Sequence, residues 1–176
     1  MHHANPWYVL TGGPGAGKST SIADLEKRGH TVAPEMARRL FEEKMARGED
    51  LADIKNHMEE FQHTILERQL KMEADLPQDK PVFLDRGLGD QVAYYRFFNL
   101  KEDAELRAAL DKAKYKKVFL LALVNAESDG VREESIAEAA ILEEYIRQGY
   151  EREGFEIVKV PVLPVAERTD FILANL

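Results

Sequence analysis

The stretch Thr11-Gly-Gly-Pro-Gly-Ala-Gly-Lys-Ser-Thr20 follows directly on the apolar run Trp7-Tyr-Val-Leu10 and satisfies the pattern GxxxxGK[ST] from Gly12 to Ser19. No other feature constrains the fold as much, because the pattern requires a strand, a tight glycine-rich turn and a helix in immediate succession. In such a loop Gly12, Gly13, Pro14, Gly15, Ala16 and Gly17 wrap around phosphates at backbone distance. Side chains at Gly12, Gly15 and Gly17 would obstruct that approach or forbid the turn. Lys18 supplies a point charge, Ser19 offers a hydroxyl to Mg²⁺, and the helix opening near Gly17 through Thr20 aims its positive end at the same anion. The expected ligand is a nucleoside triphosphate with magnesium.

Short apolar runs recur at residues 7–10, 31–33, 82–84, 117–123 and 155–160, separated by helical patterns. That alternation predicts an α/β fold with a mostly parallel sheet flanked by helices in three layers. The 176 residues fit one domain spanning 1–176. Helices are expected over 18–28, 51–74, 88–98, 102–114, 133–151 and 164–174, with Gly29 stopping the first and Pro164 suiting a first turn. Leu51, Ile54, Met58, Phe61, Ile65 and Met72 fall at spacings of three, four or seven, which puts one apolar stripe on the helix over 51–74. Core packing explains that stripe more economically than the seam of a homodimer, which is the alternative.

The net charge of −8 and the pI near 5.2 oppose a broad electrostatic footprint for nucleic acid or an anionic membrane. Small anions held in one local positive pocket are expected instead. No cysteine is present, which removes disulfides and thiolate metal sites and fits a reducing compartment such as the cytoplasm. No leader or membrane segment is expected. His2, His3, His30, His57 and His63 make no metal-ligand spacing, so zinc chemistry is not expected.

In an open parallel sheet the ligand sits beyond the carboxyl ends of the strands, so residues just after each apolar run are the candidates. Asp85, after Val82-Phe-Leu84, stands where a carboxylate holds Mg²⁺ through water; capping the next helix is the alternative. Arg86 is placed to brace a phosphate or lies on the surface. Glu35 is placed to accept a proton from an attacking hydroxyl, with Arg38 one turn later, or else it is a first-turn glutamate favoured by the helix dipole. Asp90, Tyr94 and Arg96 are candidates for touching an acceptor substrate. The polar segment 125–135 has the composition of a lid, from which Arg132 would close over the nucleotide; a solvated loop is the alternative.

The segments TGGPGAGKST, VAPEMARRL, FLDRGLGDQVAYYRF, DGVR and GFEIVKVPVLPVAERTDFIL span nearly the whole chain. In that order they resemble the compact AAA-type P-loop ATPases related to the ribosylnicotinamide kinase domain of bifunctional NAD biosynthesis proteins, and more distantly the deoxynucleoside kinases. The resemblance implies a five-stranded sheet in the order 2-3-1-4-5, ATP with Mg²⁺, and an acceptor pocket near the ends of the second and third strands. It also implies a base role for Glu35 and matches the Asp85-Arg86 pair. On this basis the expected activity is phosphoryl transfer from ATP to a hydroxyl of a small nucleoside-like or nucleotide-like metabolite, with Lys18, Arg86 and Arg132 stabilising the transferring group. A nucleoside triphosphate hydrolase and a nucleotide-dependent switch are the alternatives.

Overall fold

A computed structural model describes residues 4–123 and 133–176; Arg132, with residues 125–132 of the lid expected over 125–135, lies outside the described residues. Among those described, the strands are β1 (Trp7–Thr11), β2 (Thr31–Ala33), β3 (Val82–Asp85), β4 (Lys117–Leu121) and β5 (Ile157–Val160). The helices are α1 (Lys18–Lys27), α2 (Met36–Ala46), α3 (Leu51–Asn56), α4 (Met58–Ala74), α5 (Leu88–Phe97), α6 (Ala104–Leu110), α7 (Glu133–Arg152) and α8 (Val165–Ala174). The strands form one parallel sheet in the order β2-β3-β1-β4-β5, as the resemblance implied.

Successive strand side chains point to opposite faces, so a strand covered on both sides is apolar throughout. Trp7 and Val9 join Val82, Leu84, Val118 and Leu120 in a core that includes residues of α4, α5, α6 and α7. Tyr8 and Leu10 join Phe83, Phe119 and Leu121 in a second core against α1 and α8. The sheet is therefore the middle of three layers. In the parallel register Leu10 pairs with Asp85 and Thr11 with Leu120, which brings the end of β3 level with the turn that follows β1.

The helix expected over 51–74 is broken. Asp50 and Asp53 cap α3 reciprocally, and His57, at φ −121° and ψ 37°, separates it from α4. Ile54, Phe61 and Ile65 are buried against Met36 and Leu40 of α2, so most of the apolar stripe is core, while Leu51 is exposed.

Glu73 of α4 is buried in the first core. Tyr115 Oη (2.6 Å) and Gln69 Nε2 (2.7 Å) donate to its Oε1, and Tyr115 Oη accepts from the N–H of Leu88, the first of α5. Burial raises the Glu73 pKa above the ordinary 4.5, against both hydrogen bonds. A carboxyl raised in the folded state binds more protons there than in the unfolded chain, so its contribution to stability is full below pH 4.5 and is lost as pH rises through the folded value. Glu73→Gln keeps the size and the acceptor without the charge. Its melting temperature should match wild type near pH 4 and exceed it increasingly toward pH 8; a deficit that grows toward pH 8 would show that the ionised form is favoured in place.

Candidate functional site

The phosphate-loop turn is built by backbone that only glycine adopts easily. Gly12 has φ +148°, and a Cβ there would sit 2.6 Å from the carbonyl oxygen of Leu121 at the end of β4. Gly17 has φ +84°, and its Cβ would lie 2.6 Å from Arg168 Nη1. Lys18, the first residue of α1, is buried, and its Nζ donates to the carbonyls of Gly12 and Gly13, each at 3.1 Å. Burial, aided by Arg86, pulls its pKa down to about 8 against the pull of Asp85, Asp90 and Glu35. Ser19 and Thr20 are exposed on the first turn, where Thr20 Oγ1 donates to the Gly17 carbonyl at 2.8 Å.

Asp85 ends β3 with its Oδ1 buried and without a hydrogen-bond partner among the described residues. Burial, reinforced by Glu35, pushes its pKa up to about 6. It does not cap α5: the N–H of Gly87 donates to Asp90 Oδ2 at 3.1 Å, so Asp90 fills that role. An orphaned carboxylate oxygen beside Lys18 suits a hydrated cation, and Asp85 with the Ser19 hydroxyl provides the hard oxygen donors that Mg²⁺ takes.

Arg86 has φ +73°, a left-handed conformation rarely kept by a side chain of this size unless its surroundings enforce it. Those surroundings are explicit. Its Nε donates to Glu35 Oε1 at 3.2 Å, and its Nη1 donates to Asp90 Oδ1 at 2.7 Å and to the Gly12 carbonyl at 3.4 Å. Its guanidinium lies 5.2 Å from the centroid of the Tyr94 ring. Burial opposes the charge of Arg86, but Asp90 and Glu35 override it and raise its pKa further. Nη2 bonds to none of the described residues, leaving one donor edge of the fork for a ligand.

Asp90, expected to meet an acceptor, lines the cavity beside Glu35 and is at the same time a buried bracket within the protein. Besides Arg86 and Gly87 it accepts from Thr11 Oγ1 at 2.6 Å and Tyr150 Oη at 2.5 Å, which consumes its acceptor capacity within the protein. Arg38 is exposed on α2 and does not line the cavity beside Glu35. The helical spacing did not apply, because Glu35 is the extended N-cap residue of α2, at φ −69° and ψ 117°, and not part of its first turn. Arg96 bonds to Gln148 Oε1 at 2.6 Å and stacks over Tyr145, facing α7.

Glu35, Arg86 and Tyr94 share the wall of a cavity of about 140 Å³ lined also by Met58, Phe61, Gln62, Ile65 and Gln91. Gln62 and Gln91 are buried, and Gln91 Oε1 has no partner among the described residues. These two amides, and Arg168 against Gly17, were not among the residues singled out in the sequence. Gln62 sits beside Phe61 of the apolar stripe, and a polar residue flanking such a stripe was the one available signal. The cavity thus joins an apolar floor and two amides to a carboxylate, with the phosphate loop beyond Arg86.

A family model described as AAA domain matches residues 7–168. A search of curated proteins finds no match. Among solved structures, deoxyadenosine kinase from M. mycoides, with products dCMP and a flexible dCDP bound, is 17% identical with a TM-score of 0.66, covering 96% of this chain and 97% of that one. Thymidylate kinase from Ehrlichia chaffeensis is 12% identical with a TM-score of 0.59, again covering 96% and 97%. NadR protein in complex with NR is 15% identical with a TM-score of 0.69; the match covers 96% of this chain and 48% of that protein. At these identities the likeness shows a shared fold.

Proposed function

Since the chain belongs to the AAA domain family, we propose that it is a small-molecule kinase, transferring the terminal phosphoryl group of ATP to a hydroxyl of a nucleoside-like acceptor. The observation that carries this reading is the cavity beside Glu35: a hydrolase needs room for water only, whereas this pocket presents an apolar floor, an aromatic wall and two buried amides next to a carboxylate. A flat heterocycle between Phe61 and Tyr94, with its polar edge toward Gln62 and Gln91, has the chemistry to fill it. The kinases of similar fold support the same class.

The acceptor oxygen bonds to the γ-phosphorus as the bond to the ADP oxygen breaks, and Glu35 takes the hydroxyl proton. Lys18 and Arg86 Nη2, which bonds to none of the described residues, stabilise charge on the transferring group, with Arg132 proposed to add to them from residues 125–135. Ser19 and Asp85 would hold Mg²⁺, which would supply positive charge to neutralise the phosphates.

Two measurements test this reading. ATP turnover followed over a panel of nucleosides should rise severalfold or more with at least one of them; equal turnover with and without every member would favour the hydrolase. In Asp85→Asn, the magnesium concentration for half-maximal turnover should rise about 10- to 100-fold, with metal-free ATP binding little changed. An unchanged magnesium requirement would leave Asp85 without a part in metal binding.

A further inference from the structure

Arg168 of α8 is 151 positions from Gly17, yet its guanidinium is fastened to the first turn of α1. Nε donates to Ser21 Oγ at 2.7 Å, and Nη2 donates to Thr20 Oγ1 at 2.8 Å and to the Gly17 carbonyl at 3.1 Å. The residue is only 5% exposed, and no carboxylate lies within 4.0 Å of it among the described residues. The other buried arginine among the described residues is treated differently: Arg86 has both Glu35 and Asp90. The location compounds the cost, because a cation beside a helix N-terminus is at the unfavourable end of the macrodipole. A buried guanidinium that no carboxylate among the described residues neutralises destabilises the ligand-free protein in that position.

A polyphosphate would reverse that balance. The N–H groups of the loop and of the α1 first turn are the ones a bound phosphate chain meets, and Arg168 backs the same turn from the side of α8. We propose that Arg168 is a positioning residue of the nucleotide site: it fixes the first turn of α1 from behind and supplies positive charge whose neutralisation is completed by the phosphates. This role rests on the proposed nucleotide site. It also gives Gly17 a second reason to be glycine, since any Cβ there would collide with the guanidinium.

Arg168→Gln retains hydrogen-bonding groups without the charge, and Arg168→Lys retains the charge without the fork. Melting temperatures without ligand and calorimetric binding of ATP with MgCl₂ should be measured for wild type and both variants. The glutamine variant should melt at or above wild type when ligand-free and bind ATP about 10- to 100-fold more weakly. The lysine variant should lie nearer to wild type than to glutamine in affinity. A glutamine variant that fails to fold, or that melts lower yet binds ATP as wild type does, would overturn the proposal in favour of a purely structural clamp. Equal loss of affinity in both variants would overturn the role of the charge. Absence of ATP binding in wild type would instead remove the nucleotide site itself, and this role with it.

Discussion

Lys18→Ala should reduce ATP-dependent turnover by about 100- to 1,000-fold or more while leaving the protein folded and no less stable. The size follows from where the ammonium stands. Lys18 is buried against the carbonyls of Gly12 and Gly13 and flanked by Arg86, so its charge acts in a medium that screens it poorly. A group whose pKa is drawn down to about 8 is held charged at a cost that alanine removes. The loss should therefore appear in ligand binding and turnover and not in the ligand-free melting temperature. Calorimetric ATP·Mg²⁺ binding, turnover and a melting curve check it together. Wild-type binding and turnover in the variant would exclude the phosphate loop from the reaction.

Glu35→Gln should lower acceptor phosphorylation by roughly 100-fold, the low end of the span usual for general-base catalysis, because phosphoryl transfer has a loose transition state that needs little early proton removal. Glu35 also holds Arg86 at 3.2 Å, and that contact offers a competing explanation for any loss. The two separate cleanly. The amide oxygen of glutamine still accepts from Arg86 Nε, and Asp90 still holds Nη1, so the cation stays in place while the base is lost. Acceptor-independent ATP hydrolysis should then persist at the wild-type rate. Equal losses of phosphorylation and hydrolysis would assign Glu35 to holding Arg86, and no loss in either would make it a residue of the α2 start alone.

What could be seen in the sequence was local, and what could not was tertiary. The phosphate loop, the strand runs and the Asp85-Arg86 pair are each written within about ten consecutive residues, where glycine conformation, apolar alternation and the strand end carry the information. The sheet order came with the resemblance and matches the one observed. The break at His57 was hidden because Ile54, Met58 and Phe61 keep helical spacing across it. Asp90 follows the site in sequence and lines the cavity, but only the fold brings Thr11 and Tyr150, 79 and 60 positions away, onto its carboxylate. The same holds for Arg168, whose partners are about 150 positions distant. Arg38 differs for another reason: Glu35 lies one residue outside α2, so helical spacing does not relate the two side chains.

In a small-molecule kinase the γ-phosphoryl group passes to an organic hydroxyl. The direct measurement is a mass-spectrometric time course with γ-labelled ATP, MgCl₂ and a mixture of nucleosides and related metabolites, following the label. Label should accumulate on the hydroxyl of one acceptor in step with ADP, and roughly 100-fold more slowly in Glu35→Gln. Label found in inorganic phosphate alone, at a rate no acceptor alters, would contradict the kinase reading.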